Sequence, residues 1–341
     1  MNILVTGCAG FIGFHTCLLL IKKGYNVIGI DNLNSYYSVK LKKDRLKEIY
    51  KISKIKKKQF IFLKKDICSY GALKNVFSKY KFKYVINLAA QAGVRFSISN
   101  PKEYLKTNIN GFFNILDLSK KFKIKHLVYA STSSVYGANE NFPLSEKNIA
   151  DHPIQFYAAT KRSNEIMAHS YSSLYNLPCT GLRFFTVYGP WGRPDMALYL
   201  FTKNIIQNKK VPLFNKGNHQ RSFTYIDDIV AGIYKSLKNI PKRNKKWSSK
   251  RPDPSYSYSP YRILNIGNNK SESLKKYLFY IEKNLNKKAK IKNLKIQQGD
   301  IVKTEADLKK IIKEIGYRPN TSIEEGVKRF IRWYKTYHKI K

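Results

Sequence analysis

Three glycines near the start of the chain restrict the fold more than any other feature. A short apolar run at residues 3–5 leads directly into them, and an apolar segment with helical spacing follows. A strand that turns through glycines into a helix leaves the N–H groups of the helix N-terminus free to bind a phosphate. A side chain at the turn would block that approach. The pattern predicts a pyrophosphate cradle formed by Gly7, Gly10, Phe11, Ile12 and Gly13.

An acidic residue after the second predicted strand adds to this signal. Asp31 follows the strand pattern of residues 26–30. Its carboxylate can accept hydrogen bonds from both ribose hydroxyls of adenosine and would repel a 2′-phosphate, so we expect NAD rather than NADP as the cofactor. Isolated glycines could form nothing more than a tight turn, but the loop, the strand and the carboxylate together favour a dinucleotide site.

Strand and helix patterns alternate from residue 1 to about residue 185, which is typical of a parallel sheet with crossover helices. One more strand pattern, residues 262–266, follows a Pro- and Ser-rich segment, and the spacing of residues 322–337 predicts a helix. The other predicted strands are residues 2–6, 26–30, 59–64, 84–88, 126–131 and 179–184.

These patterns predict an α/β fold, a doubly wound parallel Rossmann sheet with a smaller α/β C-terminal substrate domain. A chain of 341 residues is long enough for one large and one smaller domain. The NAD-binding domain would cover residues 1–185, with a later return of the chain near residues 223–267. Residues 186–341 would form mainly the substrate domain.

The composition is strongly basic, with 64 Lys and Arg against 22 Asp and Glu and a net charge of +42. Such a charge invites a nucleic-acid partner. However, the lysines are spread along the whole chain, and no zinc-finger or helix-turn-helix spacing accompanies them. We therefore expect no nucleic-acid partner, although surface lysines would still attract acidic ligands.

The four cysteines form no CxxC pair, which argues for free thiols in a reducing compartment and against a metal site. The sequence shows no basic leader, and no apolar run approaches the roughly 20 residues that a membrane span needs. We therefore expect a soluble cytoplasmic protein without a membrane partner.

A tyrosine and a lysine four residues apart carry the second motif. On a helix, Tyr157 and Lys161 share one face, so the ammonium can lower the pKa of the phenol and suit it to general acid–base catalysis. Upstream, Thr132 lies in a Ser/Thr cluster, residues 131–134, at the carboxyl end of a predicted strand, where such sheets place their sites. The alternatives are a surface tyrosine above a solvated lysine and a cluster that caps a helix.

The amino-terminal TGxxGFIG pattern, with GxxGxxG in place of GxGxxG spacing, resembles the extended short-chain dehydrogenase/reductases. In that family an Asp after the third strand holds the adenine edge, small residues after the fourth strand let NAD pass close to the backbone, and a helical asparagine has a structural or catalytic role. The resemblance assigns to NAD the residues Asp31, Asn32, Asp66, Ile67, Leu88, Ala89, Ala90, Gln91, Asn108, Tyr157 and Lys161.

Within this family, FTVYGPWGRPDMA at residues 185–197 resembles the UDP-glucuronate 4-epimerases. Residues 31–37, 157–162, 262–268 and 317–319 fit the same family, so the resemblance covers nearly the whole chain. It implies an NAD-dependent isomerase that converts UDP-glucuronate to UDP-galacturonate through a 4-keto sugar. The product would be a precursor of acidic surface polysaccharides. Tyr157 would take the proton of the 4-hydroxyl, and Thr132 would hydrogen-bond the same oxygen. Ser222 and Gln298 stand where the family has Asp and Pro.

The sugar carboxylate adds a hazard, because a 4-keto uronic acid is a β-keto acid that can lose carbon dioxide. The resemblance gives Thr186 and Arg193 the task of holding the carboxylate away from the decarboxylating orientation, and a guanidinium fork can fix its plane. Related dehydratases and decarboxylases place an acidic residue directly after the catalytic Thr, where this chain has Ser133. The expected substrate contacts are Arg95, Ser133, Ser134, Thr186, Arg193, Arg221 for the diphosphate, and Asp300.

Several alternatives remain at this point. The chain could be a UDP-glucuronate decarboxylase, a UDP-galactose or UDP-N-acetylgalactosamine 4-epimerase, or a basic NAD-fold protein that binds nucleic acid without turnover. Asp300 could instead cap a helix ahead of residues 304–307. By family resemblance we expect a homodimer formed through residues 104–118 and 157–175.

Overall fold

The computed structural model describes residues 1–297 and 299–340. A parallel seven-stranded sheet forms its central layer. Its strands are β1 (Asn2–Thr6), β2 (Asn26–Asp31), β3 (Phe60–Lys64), β4 (Tyr84–Asn87), β5 (His126–Thr132), β6 (Cys179–Phe184) and, after four shorter strands, β11 (Tyr261–Ile266).

The spatial order of the sheet is β3-β2-β1-β4-β5-β6-β11. The order reverses between β1 and β4, and ligands of doubly wound sheets bind outside the carboxyl ends of the strands at such a switch point. The doubly wound parallel sheet expected from the sequence is therefore confirmed. The strands differ from the predicted ones by one residue at most at either end.

Helices cover both faces of this sheet. They are α1 (Phe11–Lys22), α2 (Val39–Ile55), α3 (Tyr70–Tyr80), α4 (Phe96–Ser99), α5 (Pro101–Tyr104), α6 (Phe112–Lys121), α7 (Phe156–Tyr175), α8 (Ala197–Ile206), α9 (Ile226–Lys238), α10 (Leu274–Leu285), α11 (Lys309–Ile315) and α12 (Ile323–His338). Between α5 and α6 the chain runs through a π-helical segment, Leu105–Gly111.

Alternate residues of β1 show why both faces must be covered. Ile3 and Val5 are fully buried in one apolar core, and Leu4 is fully buried in the other. Since successive side chains of a strand point to opposite faces, a strand that is apolar at every position needs helices on both sides. The apolar run that precedes the glycines therefore lies in the middle of the domain.

The second half of the chain also forms three small two-stranded sheets. Strand β7 (Thr186–Tyr188) pairs with β10 (Phe223–Tyr225), β8 (Lys210–Phe214) with β13 (Lys290–Leu294), and β9 (Gln220–Arg221) with β12 (Glu272–Ser273). The helix predicted at residues 322–337 is α12, whose first turn is capped by Ser322 accepting the N–H of Glu325 at 3.2 Å. Within the described ranges, no helix has the length and apolarity to cross a membrane.

Candidate active site

A cavity of about 750 Å³ lies at the carboxyl ends of the parallel strands. This volume is typical of sites for small molecules and cofactors. The cavity wall combines the glycine turn, the ends of the first five strands of the sheet, and segments from the second half of the chain. Every residue assigned from the sequence to a cofactor or a substrate lines this cavity, apart from Asn108.

The glycine turn is as tight as its sequence predicts. Gly7 has a φ of +69°, and a Cβ at this position would lie 2.8 Å from the backbone nitrogen of Ala89. A Cβ at Gly13 would lie only 2.0 Å from the carbonyl oxygen of Gly7, which accepts the N–H of Gly10 at 2.9 Å. Helix α1 starts directly after Gly10 without a side-chain cap. Its first N–H groups can therefore bind a phosphate.

Asp31 ends β2 beside this turn. Its Oδ2 accepts the N–H of Ala9 at 3.1 Å and its Oδ1 accepts the N–H of Leu33 at 2.8 Å. Burial raises the pKa of this carboxyl, and these hydrogen bonds and the charge of Lys42 oppose the shift. The carboxylate is thus fixed beside the phosphate cradle, as a contact to an adenosine ribose requires.

A second carboxylate lies next to the first along the cavity wall. Asp66 accepts the N–H of Cys68 at 2.8 Å and the side-chain amide of Asn32 at 3.0 Å. Although burial raises the pKa of Asp66, these hydrogen bonds hold it below its ordinary value. The cradle and the two carboxylates fit a dinucleotide.

Tyr157 and Lys161 lie one turn apart on α7, and both line the cavity. Burial raises the pKa of Tyr157, against the hydroxyl of Thr132 and the charge of Arg193, which lower it. Burial also lowers the pKa of Lys161 to about 8, against the charge of Glu165. The direction for Tyr157 is opposite to the one expected from the four-residue spacing, because desolvation of the phenol outweighs the charges around it.

The position of Lys161 depends on a buried chain of amides. Lys161 Nζ donates to Asn164 Oδ1 at 3.1 Å, and Asn164 Nδ2 donates to the carbonyl oxygen of Asn108 at 2.6 Å in the π-helical segment. The Asn108 side chain accepts the N–H of Gln91 at 2.9 Å and donates to its carbonyl at 3.1 Å. Asn108 therefore lies behind the cavity wall and supports the loop after β4.

The sequence analysis missed both Asn164 and Glu165. The carboxylate of Glu165 accepts Arg183 Nε and Nη2, both at 2.8 Å, and the hydroxyl of Ser131 at 2.6 Å. The side chains of Glu165 and Arg183 are fully buried. Their bonds tie α7 to the ends of β5 and β6, directly before Thr132. A glutamate four residues after Lys161, on the same helix face, was the only signal in the sequence.

The cavity wall also carries hydroxyls and the guanidinium of Arg193. Thr132 Oγ1 accepts the N–H of Ser134 at 3.2 Å and so begins a short 3₁₀ turn that includes Ser133. Thr186 starts β7, and Arg193 follows in the loop between β7 and α8. Arg193 is bound by Asp195 through two hydrogen bonds. The arrangement places neutral donors and the guanidinium of Arg193 in the cavity that Tyr157 also lines.

The far end of the cavity has further charges. Arg95 Nη2 lies 3.3 Å from Asp300 Oδ2, and Arg221 donates to the carbonyls of Ile301 and Val302. Asp300 is not a helix cap, because the next helix, α11, starts at Lys309.

Ser222 and Gln298 are the two positions at which the sequence departs from the family pattern. Ser222 is fully buried, and its Oγ accepts the N–H of Ala306 at 3.1 Å, so its role is to hold the segment after Asp300. Gln298 lies outside the described residues.

Comparison with known proteins identifies the family. A family model described as GDP-mannose 4,6 dehydratase matches residues 4–330. The chain belongs to this family. The family is part of the extended short-chain dehydrogenase/reductases, so the resemblance expected from the sequence is confirmed.

The relatives of this extended dehydrogenase/reductase match it over nearly its whole length. Protein CapI of Staphylococcus aureus is 51% identical over 339 residues, which cover 99% of this chain and 100% of that protein. The probable UDP-glucuronate 4-epimerase of Rhizobium meliloti (strain 1021) is 41% identical, with 98% and 97% covered. A solved UDP-glucuronic acid 4-epimerase from Bacillus cereus, in complex with UDP-glucuronic acid and NAD, superposes with a TM-score of 0.87 at 32% identity, over 99% of this chain and 100% of that chain.

Proposed function

We propose that the protein is a UDP-glucuronate 4-epimerase, an NAD-dependent isomerase that inverts carbon 4 to interconvert UDP-glucuronate and UDP-galacturonate. One observation carries the proposal: a single cavity is lined by Tyr157, Thr132 and Arg193, with the neutral Ser133 directly after Thr132. A uronate epimerase needs both a group that moves a proton and a cation that holds a carboxylate. Relatives named for this activity, at 40–41% identity, support it.

The glycine turn, Asp31 and Asp66 would hold NAD, and the small side chains at residues 88–91 would let it lie close to the backbone. When bound, NAD supplies a hydride acceptor that returns the same hydride, so no net oxidation occurs. Tyr157 and Lys161 would also contact the dinucleotide.

Tyr157 takes the proton of the sugar 4-hydroxyl and returns it after the keto sugar has presented its other face. Thr132 hydrogen-bonds the same oxygen, and its hydroxyl lowers the pKa of Tyr157 against the effect of burial. Lys161, with a pKa of about 8, keeps most of its charge at neutral pH, and from one turn further along α7 this charge would favour the phenolate when the proton leaves.

The residues around the sugar carboxylate determine whether the site favours epimerisation over dehydration or decarboxylation. Arg193 would hold the carboxylate through a guanidinium edge, and Thr186, Ser133 and Ser134 would add neutral hydrogen bonds. Because Ser133 is neutral, no acidic side chain directly follows Thr132 to assist proton transfer in dehydration or decarboxylation. Arg95, Arg221 and Asp300 would bind the UDP portion.

We also propose the remaining features expected from the sequence. Residues 1–185 with the return at 223–267 would bind NAD, and residues 186–341 would bind mainly the UDP-sugar. A homodimer through the π-helical segment, α6 and α7 is supported by their exposed apolar side chains, among them Phe113, Ile166 and Leu174. Four free thiols, three of them buried, support a reducing, cytoplasmic location.

The test is to incubate the purified protein with UDP-glucuronate and NAD and to identify the product by proton NMR and mass spectrometry. We expect UDP-galacturonate of unchanged mass. Tyr157→Phe should abolish turnover, and Tyr258→Phe, at an exposed position outside the cavity, should leave it unchanged. A product lighter by carbon dioxide would identify a decarboxylase. Turnover of UDP-galactose alone, or full activity of Tyr157→Phe, would overturn the proposal.

A further inference from the structure

The loop between β7 and α8 contains an ion pair inside the cavity. Arg193 Nε donates to Asp195 Oδ1 at 3.0 Å, and Arg193 Nη2 donates to Asp195 Oδ2 at 2.5 Å. Both side chains line the cavity. A guanidinium has five N–H groups, and this contact uses only the edge formed by Nε and Nη2. The edge formed by Nη1 and the second hydrogen of Nη2 remains for another planar anion.

A tyrosine from the other half of the chain fixes the carboxylate of this pair. Tyr36, between β2 and α2, donates its hydroxyl to Asp195 Oδ2 at 3.3 Å, and its ring centre lies 5.5 Å from the Arg193 guanidinium carbon. The absence of a side chain at Gly93 makes room for it, because a Cβ there would lie 2.3 Å from the Tyr36 hydroxyl. Asp195 is therefore fixed from two sides.

The charges of the pair stabilise each other. Burial raises the pKa of Asp195, but the hydrogen bonds and charge of Arg193 hold it below its ordinary value. Asp195 in turn holds the pKa of Arg193 above its ordinary value, against burial. Asp195 is thus ionised at neutral pH, and two charge-assisted hydrogen bonds fix the plane of the guanidinium.

We propose that Asp195, held by Tyr36, is a positioning residue that aims the free edge of Arg193 at the sugar carboxylate. It would thereby set the fraction of turnovers in which the carboxylate is retained rather than lost as carbon dioxide. This inference rests on the proposed function. An arginine held only by its flexible side chain can rotate, and a carboxylate bound to it rotates with it. Two bonds to Asp195 remove that freedom.

The side reaction that this arrangement would suppress is decarboxylation of the 4-keto intermediate. When the bond from carbon 5 to the carboxylate aligns with the carbonyl π system, that bond breaks and its electron pair passes into the carbonyl as an enolate. Carbon dioxide leaves, and a proton from water adds to carbon 5. The step needs no further oxidant or reductant, so only the orientation of the carboxylate opposes it.

Asp195→Asn tests the proposal, because it removes the charge and one of the two acceptor oxygens. UDP-glucuronate labelled with ¹⁴C at the carboxyl reports carbon dioxide release, and UDP-galacturonate is measured in the same reaction. We expect the ratio of carbon dioxide to UDP-galacturonate to rise at least tenfold. Tyr36→Phe, which removes one hydrogen bond to Asp195, should raise it less. Glu324→Gln, which breaks an exposed pair with Lys283 outside the cavity, should not change it.

The outcomes separate this inference from the proposed function. If the wild-type protein does not epimerise UDP-glucuronate, the proposed function fails and the inference fails with it. If the wild type epimerises but Asp195→Asn keeps the wild-type ratio, at normal or reduced turnover, the inference alone is overturned. If Asp195→Asn does not fold by circular dichroism, Tyr36→Phe decides, and an unchanged ratio in that variant also overturns it.

Discussion

Replacing Gly13 by alanine is the sharpest test of the cofactor cradle. The added Cβ would lie 2.0 Å from the carbonyl oxygen of Gly7 and 3.0 Å from the Cα of Cys8. Since a Cβ essentially never lies within 3.0 Å of another heavy atom, the Gly7 carbonyl must move by about 1 Å. That carbonyl accepts the N–H of Gly10, so the movement distorts the turn that would hold the pyrophosphate.

The magnitude follows from the cost of overpacking. Forcing extra atoms into a well-packed site costs about 1–3 kcal/mol. If the turn must regain its shape to bind NAD, the same cost weakens binding by about 5- to 150-fold. We expect the dissociation constant for NAD to rise at least about fivefold, together with a lower urea midpoint of the protein without ligand.

Gly71→Ala is the matched control. Gly71 lies in α3, where an added Cβ meets nothing within 4 Å, so alanine should stabilise the helix by about 0.5–1 kcal/mol and leave NAD binding unchanged. Isothermal titration calorimetry with NAD and urea denaturation measure both effects. Wild-type NAD affinity and stability in Gly13→Ala would refute the reasoning.

Two further variants probe the buried charges behind the cavity. Glu165→Gln leaves the buried guanidinium of Arg183 without its carboxylate, so the free energy of unfolding should fall by about 3–5 kcal/mol in urea. Glu324→Gln, which breaks an exposed pair, should change it little, and equal losses in both would contradict this account. Burial lowers the pKa of Lys161 from 10.5 to about 8. Between these pH values the unfolded chain therefore binds a proton that the folded chain has lost. Because of this difference, the lysine makes the free energy of unfolding rise with pH. The unfolding free energy of the wild type minus that of Lys161→Met should therefore increase by up to about 3 kcal/mol from pH 7.5 to pH 10.5; a constant difference would show that Lys161 titrates normally.

The strands of the central sheet were predictable because each depends on a local pattern. The apolar run at residues 3–5 and the glycines after it specify a strand and a tight turn wherever the rest of the chain lies. Periodicity likewise predicts α12 within one residue at each end. The strand order is less local: the pattern predicted a strand at residues 262–266 and a return of the chain near this point, but its pairing with β6, across about eighty residues of intervening chain, depends on tertiary packing.

The candidate site was predicted residue by residue, but not its supports. Asn164 contacts Asn108 across 56 positions, and Tyr36 contacts Asp195 across 159. No spacing rule relates such residues, because their contact depends on how separate elements pack. The same limit explains the pKa of Tyr157, which the spacing to Lys161 predicted to fall and burial raises.

By itself, the sequence determined the doubly wound class of this protein, its tight glycine turn, and the tyrosine and lysine that lie in its cavity, and the family resemblance added Arg193. The class, the turn and the spacing of Tyr157 and Lys161 depend on backbone geometry over a few residues, which the local sequence specifies. Only the tertiary structure decided the protonation preferences of Tyr157 and Lys161 and the pairing of Arg193 with Asp195. Desolvation and long-range hydrogen bonds depend on every segment that packs around a group, and those segments come from all parts of the chain.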